Sequence, residues 1–195
     1  MVAGHSIVTE MHKVQNNIGV CPQHDIFWPE LTVREHILLF TRLKGSSTSD
    51  EKRLADSALR AVQLFEHQSK KTRELSGGQR RRLSIAISFI GSPSVVFADE
   101  PSTGVDPVTR GWVHSLFLRE KKRRCIVLTS HSMDEVDKLS DRICIMAHGR
   151  VKTIGTSTEL KTKYNEGFQL ILVVSDAQLA STFVKNNMKG AALES

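Results

Sequence analysis

Residues 94–107 read SVVFADEPSTGVDP. The apolar run Ser94 to Ala98 ends in two adjacent carboxylates, Asp99 and Glu100, and is followed by a turn of Pro, Ser, Thr and Gly. Such a continuous apolar run suits a strand buried on both faces. Downstream come a helical stretch, PVTRGWVHSLFLREKK (107–122), a second apolar run, CIVLTS (125–130), and another helical stretch, SMDEVDKLS (132–140). This alternation predicts an α/β fold with a mostly parallel sheet and helices on both faces. Open sheets of this kind bind ligands beyond the carboxyl ends of their strands, where Asp99 and Glu100 fall. There an aspartate can hold Mg²⁺ and a neighbouring carboxylate can polarise an attacking water. Two acids ahead of a helix can also serve only to cap it.

The bulk composition narrows the classes. With 195 residues and 39% apolar content, the chain can form one sizeable core. Lys and Arg number 27 against 21 Asp and Glu, a net charge of +6. The basic runs Arg80-Arg81-Arg82 and Lys121-Lys122-Arg123-Arg124 read as solvated helix faces, and without interleaved aromatics nucleic acid is an unlikely partner. Cys21, Cys125 and Cys144 are odd in number and lack zinc-site spacing, so they read as small core residues in a reducing compartment. The N-terminus is not patterned as a signal peptide, and no apolar run approaches the ~20 residues of a membrane helix.

The middle third of the chain is read as helical, after one short strand. Ile18 to Cys21 suits a short buried strand ended by Pro22. Thr32 and Glu35 make a capping box for a helix that stops near Gly45. Leu54, Ala58 and Phe65 recur at helical spacing, and a third helix is expected from about Arg80 to Ile90. Near the C-terminus, "RICIMA" and "RVKTIG" flank His148-Gly149, a tight hairpin turn. A capping box at Thr156 and Glu159, a strand "FQLILVV" (168–174) and a helix from Ser175 complete the pattern.

Three further stretches carry chemistry. His131 follows the strand CIVLTS, beside Asp99-Glu100 if the strands are neighbours, where it could donate to a phosphate oxygen. The other seven histidines have no comparable placement. Gln23 lies in a loop after a strand, where an amide can coordinate Mg²⁺ or orient water; the plainer reading is a polar loop residue. In LSGGQ (75–79), Gly77 and Gly78 let the backbone approach closely, Ser76 adds a hydroxyl, and the following helix offers its positive N-terminus to an anion. An ordinary glycine-rich turn is the alternative.

In this order and spacing, Gln23, LSGGQ, SVVFADE, STGVDP and His131 resemble the nucleotide-binding domain of ATP-binding cassette (ABC) transporters, over nearly the whole chain. The flanking stretches "IGVCPQHDIFWPELTVREH" and "SHSMDEVDKLSDRICIMAHGRVKTIGTSTELKTKY" look most like subfamily A, mostly lipid exporters; many of its members end the signature in a residue other than Gln79. The resemblance implies a P-loop NTPase-like fold, with a RecA-like core at 1–31 and 93–165. It places a small helical subdomain carrying LSGGQ at 32–92 and the start of a C-terminal extension at 166–195.

By the same resemblance, Glu100 and His131 are catalytic. Gln23, Ser76, Gly77, Gly78, Gln79, Asp99 and Asp106 bind ATP, and Gln23 and Asp99 hold Mg²⁺. The implied partners are a second nucleotide-binding domain, paired head to tail, and transmembrane domains of the same transporter at the cytosolic face of a membrane. The loop after Gln23, with Ile26, Phe27 and Trp28, would couple to them, although burial of these three in the core is the simpler reading. The family's Walker A loop does not occur in this sequence and would fall before Met1, so the first strands and the P-loop are expected to be missing, with "VAGHSI" matching the strand after them. The isolated chain is therefore expected to bind ATP weakly and not to turn it over. Two alternatives stand beside this reading: a soluble cassette ATPase acting on ribosomes or DNA, and a non-catalytic subunit that lends LSGGQ to a partner.

Overall fold

The computed structural model describes residues 1–47, 49–164 and 182. The expected strand at 168–174 lies outside these described residues, as do the helix from Ser175 and the extension at 166–195 apart from residue 182. The chain divides into two compact units, Met1–Ser140 and Asp141 onward.

Three parallel strands organise the first unit: β1 (Ile18–Cys21), β2 (Val95–Asp99) and β3 (Cys125–Thr129), in the order β1-β2-β3. Cys21 pairs with Ala98, and Ala98 with Leu128. Because side chains alternate along a strand, these three share one face, which packs beneath Ile85, Val113, Leu116 and Phe117. On the opposite face, Val20, Phe97 and Val127 are in register and expose 53%, 38% and 47% of their surface.

The helix over that core is α4 (Gly77–Phe89); the others flanking it are α5 (Pro107–Glu120) and α6 (Met133–Leu139). Gly19 lets α4 press on β1: a Cβ there would stand 1.8 Å from the backbone oxygen of Ser88. A second apolar cluster joins α4 to α2 (Val33–Leu43) and α3 (Glu51–Ala61), through Val33, Ile37, Ala55, Leu59 and Leu83. Each fully buried Leu or Ile in these clusters contributes roughly 1.5–3 kcal/mol relative to exposure. Trp112 of α5 packs against both clusters.

Local signals explain the boundaries. Thr32 caps α2 through a complete capping box with Glu35, and Gly45 ends it at a positive φ of 77°. α4 starts three residues earlier than the sequence reading placed it. Ser76 is its N-cap and Gln79 closes a second capping box, so both signature glycines lie in the first helical turn. The short α1 (Met11–Asn17) was not foreseen, and "VAGHSI" makes a bridged turn between Val2 and His5 rather than a strand. Cys21 is buried, whereas Cys125 and Cys144 are exposed, contrary to the core reading of all three.

The second unit pairs β4 (Ile143–Ala147) and β5 (Arg150–Gly155) in an antiparallel hairpin, with α7 (Ser157–Tyr164) packed on β5. His148 and Gly149 both take positive φ, as the expected two-residue turn requires. No helix among the described residues is long and apolar enough to cross a membrane.

Candidate active site

The parallel register brings the carboxyl ends of β1, β2 and β3 to one edge, and the sequence-derived residues Gln23, Glu100 and His131 meet there. Gln23 Nε2 donates to Glu100 Oε2 at 3.3 Å, and His131 Nδ1 lies 3.3 Å from Glu100 Oε1. Hydrogen bonds from His131 first, then from Thr103, hold the Glu100 carboxyl below its ordinary range. Glu100 is therefore ionised at neutral pH. Its backbone has a φ of 42°, in the left-handed region that non-glycine residues rarely adopt, and strain of this kind concentrates at functional sites.

Asp99 is held by its neighbour on β3: Thr129 Oγ1 donates to Asp99 Oδ1 at 2.5 Å and accepts the Glu100 N–H at 3.1 Å. One hydroxyl thus positions both acids. Asp99 and the Gln23 amide oxygen are hard oxygen donors, a set that fits Mg²⁺, which takes one or two protein ligands and completes its shell with water and phosphate. No group of three or more His, Cys, Asp or Glu among the described residues forms an all-protein metal cage.

Asp106 sits elsewhere in the local chemistry. It N-caps α5 by accepting the Thr109 N–H at 2.9 Å, and hydrogen bonding led by the Thr109 side chain lowers its pKa. The signature packs on this cap, since a Cβ on Gly78 would stand 2.8 Å from Thr109 Oγ1 and 3.2 Å from Asp106 Oδ2. Gly77 by contrast has open space around it. Ser76 Oγ accepts the Gln79 N–H at 3.3 Å and Gln79 Oε1 accepts the Ser76 N–H at 3.1 Å, so both side chains are engaged in capping. The structure brings Gln23, Asp99, Glu100 and His131 into one cluster and Ser76, Gly77, Gly78, Gln79 and Asp106 into another.

The model of the ABC transporter family matches residues 1–103. The chain belongs to the ABC transporter family. Among its relatives, ABC transporter A family member 9 of Arabidopsis thaliana is 44% identical over 97% of this chain. ABC transporter A family member 2 of the same plant is 46% identical over 86%. ATP-binding cassette sub-family A member 2 of Homo sapiens is 40% identical over 91%. The chain spans only 19%, 17% and 7% of the length of these relatives. A solved structure titled as the ATP binding subunit of an ABC transporter superposes with a TM-score of 0.75 at 23% identity, covering 93% of this chain and 73% of that one, which supports the fold.

Within this ABC transporter chain, two residues of the site, Thr129 and Arg81, were not foreseen from the sequence. Arg81, taken as part of a solvated basic run, is buried, and its guanidinium reaches the backbone just past β1 and at the end of β2. Helical spacing offered a signal: Arg81, Ser84, Ile85 and Ser88 lie at i, i+3, i+4 and i+7, and all are buried. Ile26 and Trp28, by contrast, expose 74% and 52% of their surface, and only Phe27 packs on the helical cluster, so core burial fails for two of the three.

Proposed function

We propose that this chain contributes the ATP-binding and ATP-hydrolysing machinery of a subfamily A transporter and couples hydrolysis to movement of a substrate, of lipid class, across a membrane. The observation that carries the reading is the Glu100 carboxylate gripped between the Gln23 amide and the His131 imidazole at the ends of three parallel strands. Glu100, ionised and aimed from both sides, orients and polarises the water that attacks the terminal phosphate. With Nδ1 directed at Glu100, the other nitrogen of His131 is left for a phosphate oxygen on which negative charge develops. Asp99 and Gln23 would hold Mg²⁺, which supplies charge neutralisation at the phosphates.

The signature cluster serves a different nucleotide. In this reading, Ser76, Gly77, Gly78 and Gln79 face the phosphates of ATP held by a second nucleotide-binding domain arranged head to tail, and Asp106 lies at that junction. The open space at Gly77 and the free backbone N–H groups of a helix N-terminus support it. The exposed Ile26 and Trp28 support docking of the loop after Gln23 on transmembrane domains, which would put the chain at the cytosolic face of a membrane. The division into a core of 1–31 and 93–165 and a helical part of 32–92 is likewise proposed; the two apolar clusters support it as far as Leu139.

Titration with a fluorescent ATP analogue and Mg²⁺ tests the binding half of this reading. The isolated chain is expected to bind weakly, and the full transporter polypeptide tightly. Equal, tight binding by the isolated chain would contradict the dependence on partner elements, and no binding by either would contradict the nucleotide site itself.

A further inference from the structure

Where the β1–β2 pairing stops, the two chains turn carbonyl groups toward α4. Cys21 pairs with Ala98, so Pro22 and Gln23 on one side, and Asp99, still paired with Thr129 of β3, and Glu100 on the other, run past that pairing. Carbonyls shielded from water need donors. Arg81 of α4 supplies them: Nε donates to Pro101 O at 2.7 Å, Nη1 to Pro22 O at 2.6 Å and Gln23 O at 3.3 Å, and Nη2 to Asp99 O and Glu100 O at 2.9 Å each. Its one carboxylate contact, Asp25 Oδ1 at 3.4 Å, is the longest of the set. The side chain is 4% exposed.

This pattern asks for arginine and no other residue. A planar fork of five donors can reach carbonyls on two separate segments at once, whereas an ammonium carries three donors at a single point. The segments it joins are the two whose side chains meet on the catalytic side, where Gln23 Nε2 donates to Glu100. It also grips the peptide on either side of the strained residue, since Asp99 O and Glu100 O flank the positive φ of Glu100. Such a conformation persists only where its surroundings over-determine it.

We propose that Arg81 is a positioning residue that locks the loop after Gln23 and the turn at Glu100 into one body. A displacement of that loop, which carries the exposed Ile26 and Trp28, is thereby passed to the hydrolytic carboxylate through backbone carbonyls. The hydrolytic part of this inference rests on the reading of Glu100 given above. The clamp itself does not.

Two measurements test it separately. In the first, amide hydrogen exchange is compared between the 195-residue chain and its Arg81→Lys and Arg81→Met variants, following Gln23 to Asp25 and Glu100 to Thr103, with α2 as internal reference. Exchange is expected to rise in both segments together while α2 stays protected; a rise in one segment alone, or in neither, overturns the clamp. If Arg81→Met unfolds, α2 exchanges too and Arg81→Lys, which keeps the charge and the stem, carries the comparison. In the second, ATP hydrolysis by the full transporter polypeptide is expected to lose about 100-fold in kcat on Arg81→Lys with KM for ATP little changed, as for a misplaced catalytic group. Unchanged kcat in Arg81→Lys, or a loss carried by KM instead of kcat, overturns the positioning role. Unchanged hydrolysis in Glu100→Gln alone would instead refute the reading of Glu100 and leave the exchange result to decide the clamp.

Discussion

His131 Nδ1 lies 3.3 Å from Glu100 Oε1, while the other oxygen of the same carboxylate accepts from Gln23 at 3.3 Å. Residues from the ends of β1 and β3 thus hold opposite oxygens of an acid at the end of β2.

Thr129 positions Asp99 and Glu100 with one hydroxyl. Thr129→Val keeps the shape and removes both bonds. In the full transporter polypeptide, the Mg²⁺ concentration for half-maximal ATP hydrolysis is expected to rise about 10-fold, the usual scale for losing a group that orients a ligand. An unchanged Mg²⁺ dependence would separate Thr129 from the metal site.

Ser76 is asked to cap α4 and to face a phosphate, and two substitutions separate these roles. Ser76→Ala is expected to lower stability by about 1 kcal/mol in urea unfolding, through loss of the N-cap. Ser76→Asp is a good cap and should leave stability near wild type, yet its charge repels phosphate, so hydrolysis in the assembled transporter should fall. Full activity in Ser76→Asp would remove the signature from the phosphate.

Gly19 is the point where β1 meets α4. The Cβ of Gly19→Ala would stand 1.8 Å from a backbone oxygen, which no rotamer change relieves. A loss of about 3 kcal/mol is expected from urea unfolding of the isolated chain. A loss below 1 kcal/mol, about the scale of an ordinary glycine substitution, would mean that the strand moves freely against the helix.

His36 is buried, with Nε2 accepting the Trp28 N–H at 3.0 Å and Nδ1 bonded to Thr32 O at 3.1 Å, and burial lowers its pKa below 6.5. The folded ring stays neutral while the unfolded one protonates, so the unfolded state binds more protons as pH falls through 6.5. Stability is fully present above that value and declines below it. The shifted carboxylates, such as Glu35 and Glu51, are lowered from 4.5 and act only in more acidic solution. Urea midpoints at about pH 7.5 and pH 5.5 should therefore differ for the wild type and converge for His36→Gln, which keeps an acceptor for Trp28 without titrating. An equal drop in His36→Gln would assign the dependence to other groups.

Much of the architecture was legible because local chemistry and global fold agree. The Thr32–Glu35 and Thr156–Glu159 capping boxes form as read, and the His148-Gly149 hairpin takes the backbone its residues favour. The helix Ser132 opens is capped only halfway, because the Glu135 carboxylate turns to Ser130 at 2.6 Å and His114 at 3.0 Å instead of back to its cap. Strand ends pointed to Asp99 and Glu100, and to His131 once its strand is a neighbour, whereas Gln23 joined them only through the family resemblance. What could not be read was long-range and carried by the backbone. Helical spacing puts Arg81 on the buried face of α4, but its acceptors, carbonyls whose positions depend on the fold, could not be foreseen. Ile26 and Trp28 could be read either as a docking surface or as core, since hydrophobicity says nothing of which surface a loop leaves open.

Steady-state ATP hydrolysis by the full transporter polypeptide, with and without Glu100→Gln, tests the central claim most directly. The substitution keeps the shape and the capacity to accept from Gln23 but removes the negative charge that polarises water. The account predicts that nucleotide binding persists and turnover falls to background. Turnover equal to wild type would contradict it.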